Sequence, residues 1–282
     1  SVSNYYLDIS NQKFGFDLAN SIVFPDSYNG SYQLGHTMDY YNSYASDINQ
    51  EESLTMLFRD ALLKAHEIDS IDYSFFDMIV VFHAGIGQDF SLPFLDPTPE
   101  DIPSTYIDTD MIYKYISPDG LIIDGNHIFK GIILPETQNH LLFDISLDMF
   151  NTSEPCEYQY GLTGTFALMV GFFIGLPPLW NIDNGESGVG VFGLMDQGSN
   201  NGRGLIPARP TAWTRIFSGW DSSQNIFYNS NATLYNNKPD QIGKVDISET
   251  EYFLIENRNN YVYRNVSIDS MIYKFYETSG YN

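Results

Sequence analysis

From Gly161 to Trp180 the chain runs for twenty residues without a formal charge, and no Lys or Arg occurs between Lys130 and Arg203. A stretch this apolar has two homes, a bilayer or a protein core. Its length approaches the roughly 20 residues that a spanning helix needs. However, it carries four glycines and the pair Pro177-Pro178, and it lacks the basic flanks that anchor and orient a span. The reading that remains is a helix from Gly161 to Gly175, apolar on every side and therefore buried at the centre of the fold. Gly175-Leu-Pro-Pro178 stops it.

Such a helix needs a shell large enough to bury it, and 282 residues supply one. With 43% hydrophobic and 17% charged residues, and with 21 Tyr and 20 Phe, the chain is far from the charge-rich, aromatic-poor profile of disorder. Tyr5 to Ile9 and Ser21 to Phe24 read as short strands, and Asp26 to Asp47 reads as a long surface loop. From Glu51 to His66 the residues Leu54, Leu57, Phe58, Ala61, Leu62 and Ala65 recur at helical spacing. Phe75 to Phe82 reads as a buried strand ending in His83-Ala84-Gly85. The prolines and acidic residues of Leu92 to Pro118 predict irregular surface structure, and Leu121 to Leu134 supplies one or two further strands. A glycine-rich loop, Asn181 to Gly204, precedes a short helix from Pro210 to Phe217. Strand-like segments follow at Tyr252 to Ile255 and Tyr261 to Val266. The expected class is α/β or α+β, with a main domain over 1–220 and a strand-rich extension over 221–282 packed on it. No internal repeat is present.

Charge excludes one class of partner. Thirteen Lys and Arg against 36 Asp and Glu leave a formal charge of -23, which repels phosphate backbones and anionic lipid, so no nucleic acid is expected. The acidity serves either solubility or cation binding. Asp108-Thr-Asp110, Asp183-Asn-Gly-Glu186 and Asp196 offer oxygen ligands suited to structural calcium, although none has EF-hand spacing. Ordinary solvated loops account for the same residues. Lone Cys156 excludes an intramolecular disulfide and any cysteine cluster. It sits between Glu154 and Glu157, which raise rather than lower a thiol pKa. Asn29, Asn151, Asn231 and Asn265 have the glycosylation triplet, which also arises by chance in an Asn-rich chain. The opening Ser1-Val-Ser-Asn-Tyr-Tyr has neither a basic start nor an apolar stretch, so no signal peptide is read there.

Several segments, taken in order, carry a resemblance. They are Ser1-Val-Ser-Asn-Tyr-Tyr-Leu-Asp-Ile-Ser10, Val80-Val-Phe-His-Ala-Gly85, Gly164-Thr-Phe-Ala167 with Gly175-Leu-Pro177, and Leu194-Met195 within Gly188 to Asp196. Pro207-Ala-Arg-Pro-Thr-Ala-Trp213 and Tyr252-Phe-Leu-Ile-Glu-Asn-Arg258 complete the set. In these the chain resembles the immune inhibitor A-type secreted zinc metallopeptidases. The resemblance implies a zincin or metzincin-like fold over 1–220, with a mixed sheet and a central helix, and an extracellular or cell-surface location. It also implies that Met195 lies on a methionine turn and that His83 lies beside the cleft.

The same resemblance exposes a departure. The family helix reads Ala-His-Glu-x-Gly-His-x-x-Gly-Leu-Pro-Asp, with two histidines one turn apart on zinc and a glutamate that activates water. Here Ala167-Leu-Met-Val-Gly-Phe-Phe-Ile-Gly-Leu-Pro-Pro178 puts Leu168, Met169, Phe172 and Pro178 at the four functional positions. Leucine, phenylalanine and proline side chains have no lone pairs to give, and a thioether is a poor zinc ligand. Without zinc or glutamate, hydrolysis lacks both nucleophile and base. None of His36, His66, His83, His127 and His140 lies three or four residues from another, and no Gly-x-Ser-x-Gly elbow occurs. The expectation is a domain without catalytic residues or zinc. Its cleft, lined by His83, Ala84, Gly85, Leu168, Met169, Phe172 and Met195, has an apolar floor that suits a protein or peptide partner, or self-assembly in a surface structure. The alternative is an active secreted zinc metallopeptidase whose ligands the sequence does not reveal.

Overall fold

The computed structural model describes residues 2–26, 30–42, 49–90, 98–138, 160–236 and 238–258. They form a mixed α and β chain with small mixed sheets, gathered into two units. One comprises Ser1–Asp17, Thr163–Gly171 and Leu176–Asn282, and the other Leu18–Leu162 and Phe172–Gly175. Residues on both sides of the expected 220/221 boundary therefore belong to one unit.

In the Leu18–Leu162 unit the chain forms α2 (Met38–Tyr41) and then α3 (Gln50–Asp69), after α1 (Val2–Ile9) in the other unit. The spacing predicted for α3 buries Leu54, Leu57, Phe58, Leu62 and Ala65, with Ala61 half-buried. Ser70, in the left-handed region with φ 50°, ends the helix by returning its N–H to the His66 carbonyl at 2.8 Å. This face packs in a core with Ile107, Ile112, Leu121, Ile123 and Ile133. The sheet has β5 (Gly131–Thr137) at its centre, with β1 (Val80–Ile86) parallel and β2 (Thr105–Ile107) antiparallel to it. Ile132, Ile133 and Leu134 are fully buried, so both faces of the central strand are covered.

Several local expectations are corrected in this unit. Ser21 to Phe24 is not a strand, and Ile22 and Val23 are exposed. The loop expected over Asp26 to Asp47 contains α2. Of Phe75 to Phe82 only Val80 onward is paired as a strand. Tyr73–Phe75 is a 3-10 turn that the Asp72 carboxylate initiates by accepting the Ser74 N–H at 3.0 Å, and the strand begins at Val80. Leu92 to Pro118 contains β2 and α4 (Thr109–Tyr115), because Asp108 caps that helix by accepting the Met111 N–H at 2.8 Å. Leu121 to Leu134 forms three strands rather than one or two. β3 (Leu121–Ile123) and β4 (Asn126–Ile128) pair through Asp124-Gly125, whose φ values of 48° and 79° suit a two-residue hairpin.

In the other unit, α1 replaces the strand expected over Tyr5 to Ile9. Val2, Tyr6 and Ile9 are buried at helical spacing, so tertiary burial outweighs the strand preference of aromatic and β-branched residues. The Tyr6 ring meets Phe14 and Trp220 edge-on at 5.2 and 6.1 Å. The apolar helix α5 (Thr163–Phe173) contributes Thr163–Gly171 here and ends in the Leu18–Leu162 unit. None of its residues is exposed, as its uniform apolarity predicts. After α6 (Ala212–Phe217), the strand β7 (Ile242–Asp246) lies between parallel β6 (Ser223–Asn225) and antiparallel β8 (Tyr252–Glu256). The strand expected at Tyr261 to Val266 lies outside the described residues.

Candidate functional site

The helix α5 carries Leu168, Met169 and Phe172, and Pro178 follows its end. Ala167 and Val170 are fully buried, while Leu168, Met169, Phe172 and Pro178 are half-buried. The helix stops where expected. The Leu176 N–H bonds the Gly171 carbonyl and the Gly175 N–H bonds the Phe172 carbonyl, both at 2.9 Å, with Gly175 at φ +89°. This double bond around a left-handed glycine is a Schellman stop.

Within the Thr163–Gly171 unit, α5 rests on a fully buried Met195. A Cβ at Gly171 would lie 2.6 Å from the Met195 sulfur, so only glycine permits this approach. The Tyr6 hydroxyl donates to the Ala167 carbonyl at 2.6 Å, and the Leu179 N–H to the Met195 carbonyl at 2.8 Å.

Beside Met195, Asp196 anchors the glycine-rich loop. Its Oδ2 accepts from the Ser187 hydroxyl at 2.9 Å and from the N–H groups of Gly188, Val189 and Gly190 at 2.9, 2.7 and 2.8 Å. Its Oδ1 accepts from the Gln197 N–H at 2.8 Å. Burial raises the carboxyl pKa, but these donors together outweigh it and hold the group below its ordinary value.

The cleft residues expected from the sequence divide between the units, with Leu168, Met169 and Met195 in one and His83, Ala84, Gly85 and Phe172 in the other. Phe172 stacks on Tyr106 with ring centroids 6.1 Å apart. Lys130 donates to the Phe173 carbonyl at 2.7 Å and lies 4.1 Å from the centre of that ring. His83 is on β1, where the register against β5 shifts before Ile86. Its Nδ1 is 3.0 Å from the Ala84 carbonyl oxygen and its Nε2 is 3.0 Å from that of Ile102. Both nitrogens thus face acceptors, and neither aims a lone pair at open space. Burial lowers the His83 pKa, against the two carbonyls and the charges of Asp101 and Asp89. Exposed Gly85 donates its N–H to Glu136 Oε2 at 3.2 Å.

Asp108 is engaged as a helix cap and Asp110 is exposed. Asp183 and Glu186 are exposed on one tight turn, where Asn184 Nδ2 reaches Glu186 Oε2 at 3.3 Å. Among the described residues, no group of three or more His, Cys, Asp or Glu is placed to hold a metal. Of the glycosylation triplets, Asn231 is exposed, and Asn29, Asn151 and Asn265 lie outside the described residues. Among the described residues no helix is long and apolar enough to cross a membrane.

One constellation was not anticipated. Arg209, Arg215, Lys238 and Arg258 line a single pocket with Tyr235, Gln241, Glu256 and Asn257. The sequence holds a signal for it, since basic residues are scarce and all three of these arginines lie in segments already named. Only the folded chain brings together residues such as Arg209 and Arg258, which are 49 positions apart.

Compared with protein-family models, curated proteins and solved structures, the chain matches none.

Proposed function

We propose that this chain is a non-catalytic, metallopeptidase-like extracellular domain of zincin type that binds a protein or peptide partner, or builds a surface assembly. The observation that carries the reading is the helix α5, on which Leu168, Met169 and Phe172 stand half-buried and apolar at the positions where the resembling family places two zinc ligands and a base. Leu168 and Phe172 are four residues apart, one helical turn, so the frame of a metal helix is kept while its chemistry is gone. Half-buried apolar side chains favour contact with another apolar surface over contact with water.

Metal analysis and a peptidase assay on the same preparation test the reading. Less than about a tenth of an equivalent of zinc is expected, with peptide hydrolysis no faster than in buffer. Stoichiometric zinc together with chelator-sensitive hydrolysis would refute it. Size-exclusion chromatography then separates its two forms, because an assembly subunit forms defined oligomers and a binding module stays monomeric until its partner is added.

A further inference from the structure

No residue of α5 lines the cationic pocket, and a role for it does not depend on the function proposed above. The chain has 13 Lys and Arg against 36 Asp and Glu, yet four of those cations line this one pocket with a single carboxylate, Glu256. Counting Asp221, which pairs with Arg215 at 2.7 Å, four positive charges stand against two negative ones. Chance scatter of so few cations in so acidic a chain does not favour this.

The wall of the pocket is fixed. The Arg215 side chain is only 6% exposed, and its three nitrogens donate to Asp221 Oδ2 at 2.7 Å, the Pro210 carbonyl at 2.7 Å and Glu256 Oε2 at 2.8 Å. Arg258 Nη2 reaches Glu256 Oε1 at 2.8 Å and the Pro210 carbonyl at 2.7 Å, while Nη1 donates to the carbonyls of Phe192 and Arg209. One carboxylate is therefore shared by two guanidinium groups. Both guanidinium charges also help to hold Glu256 below its ordinary pKa, against its burial. The Arg258 Nε–H is buried and has no hydrogen-bond partner among the described residues. A buried charged N–H without an acceptor is costly, and an anion seated beside it supplies one.

The rim is built to receive such an anion. Lys238 is exposed and lies 4.6 Å from the centre of the Tyr235 ring. The Tyr235 N–H donates to Gln241 Oε1 at 3.2 Å and Asn257 Nδ2 donates to the Leu234 carbonyl at 3.0 Å, which ties the rim to the end of β8. Guanidinium N–H groups and an ammonium at a partly desolvated site match planar or tetrahedral oxygen anions.

We propose that the pocket lined by Arg209, Arg215, Lys238 and Arg258 binds a small oxyanion, either a carboxylate or a phosphate group.

Calorimetric titration and thermal unfolding of the chain with inorganic phosphate, acetate or chloride, at matched ionic strength, test this. Phosphate, acetate or both are expected to bind and to raise the unfolding temperature above that in chloride. A response to phosphate alone assigns a phosphate source, and a response to acetate alone assigns a carboxylate source. Lys238→Gln, at an exposed position that leaves the fold intact, is expected to weaken binding about two- to fivefold. Lys244→Gln removes a cation outside the pocket and is expected to leave binding unchanged. Phosphate and acetate acting no more strongly than chloride, or equally on wild type and Lys238→Gln, would overturn the assignment.

Discussion

Replacing Asp196 by asparagine tests whether one buried carboxylate organises the loop beneath α5. The substitution keeps the size of the side chain and removes its charge. In the native chain five donors converge on it at 2.7 to 2.9 Å, four on Oδ2 and one on Oδ1. An amide in either orientation turns one oxygen into an N–H donor that faces other donors. With its nitrogen towards Gln197 it loses one bond, and with the nitrogen towards Ser187 to Gly190 it loses the three backbone bonds, since only the Ser187 hydroxyl can turn to accept. The first orientation is favoured, and it also weakens the four remaining bonds by removing the charge that strengthens them. Hydrogen bonds to charged groups contribute about 1.5 to 3 kcal/mol each, so one lost and four weakened give an expected cost of about 3 kcal/mol. The pH dependence has a definite sign. The native carboxyl titrates below its ordinary value, so its contribution is complete above the unfolded pKa of about 3.9 and disappears as pH falls through the native pKa. Urea unfolding at pH 7 should therefore show the full difference between wild type and Asp196→Asn, and the difference should shrink as the titration is repeated in increasingly acidic buffer. A loss under about 0.5 kcal/mol at pH 7, the size of an ordinary surface change, would refute the reasoning, as would a difference independent of pH.

Two further substitutions follow from the same unit. Gly171→Ala puts a methyl group where a Cβ would sit 2.6 Å from the Met195 sulfur. Overpacking costs about 1 to 3 kcal/mol and the helix gains about 1 from alanine, so a net loss of about 1 kcal/mol is expected in urea unfolding, with partial recovery on adding Met195→Ala. Arg215→Met strips Asp221 and Glu256 of a guanidinium whose side chain is 6% exposed. It should cost about 3 to 5 kcal/mol by the same measurement, and a neutral result would mean that water replaces the pair.

Elements whose own residues repeat at a structural period are legible in the amino-acid sequence alone. α3 shows its buried stripe in Leu54, Leu57, Phe58, Leu62 and Ala65, and α5 shows its burial in unbroken apolarity and its end in Gly175-Leu-Pro-Pro178. Short elements are not legible in the same way. α1 has strand-like residues and is helical because Tyr6 and Ile9 find a core only at helical spacing. α4 is seven residues long and depends on a single cap at Asp108, too little pattern to separate from a loop.

The candidate site divides along the same line. That Leu168, Met169 and Phe172 cannot supply zinc chemistry follows from side-chain type alone. What charged groups do depends on what surrounds them, which is why Asp196 and the arginines are hard to read from sequence. In the bare sequence, Asp196 is an oxygen ligand in a glycine-rich loop, equally suited to a cation. Folded, the loop turns the N–H groups of Gly188, Val189 and Gly190 towards it, and a carboxylate among converging amides already has its negative charge answered. Nothing in the bare sequence links Arg215 to Arg258, yet Pro210 and Glu256 each bond both of them. Asp221 and Glu256 answer the charges of Arg215 and Arg258, and Arg209 and Lys238 add their positive charges to the same pocket with no further carboxylate among its lining residues. That imbalance of charge, rather than any single residue type, is what makes the pocket a place for an anion.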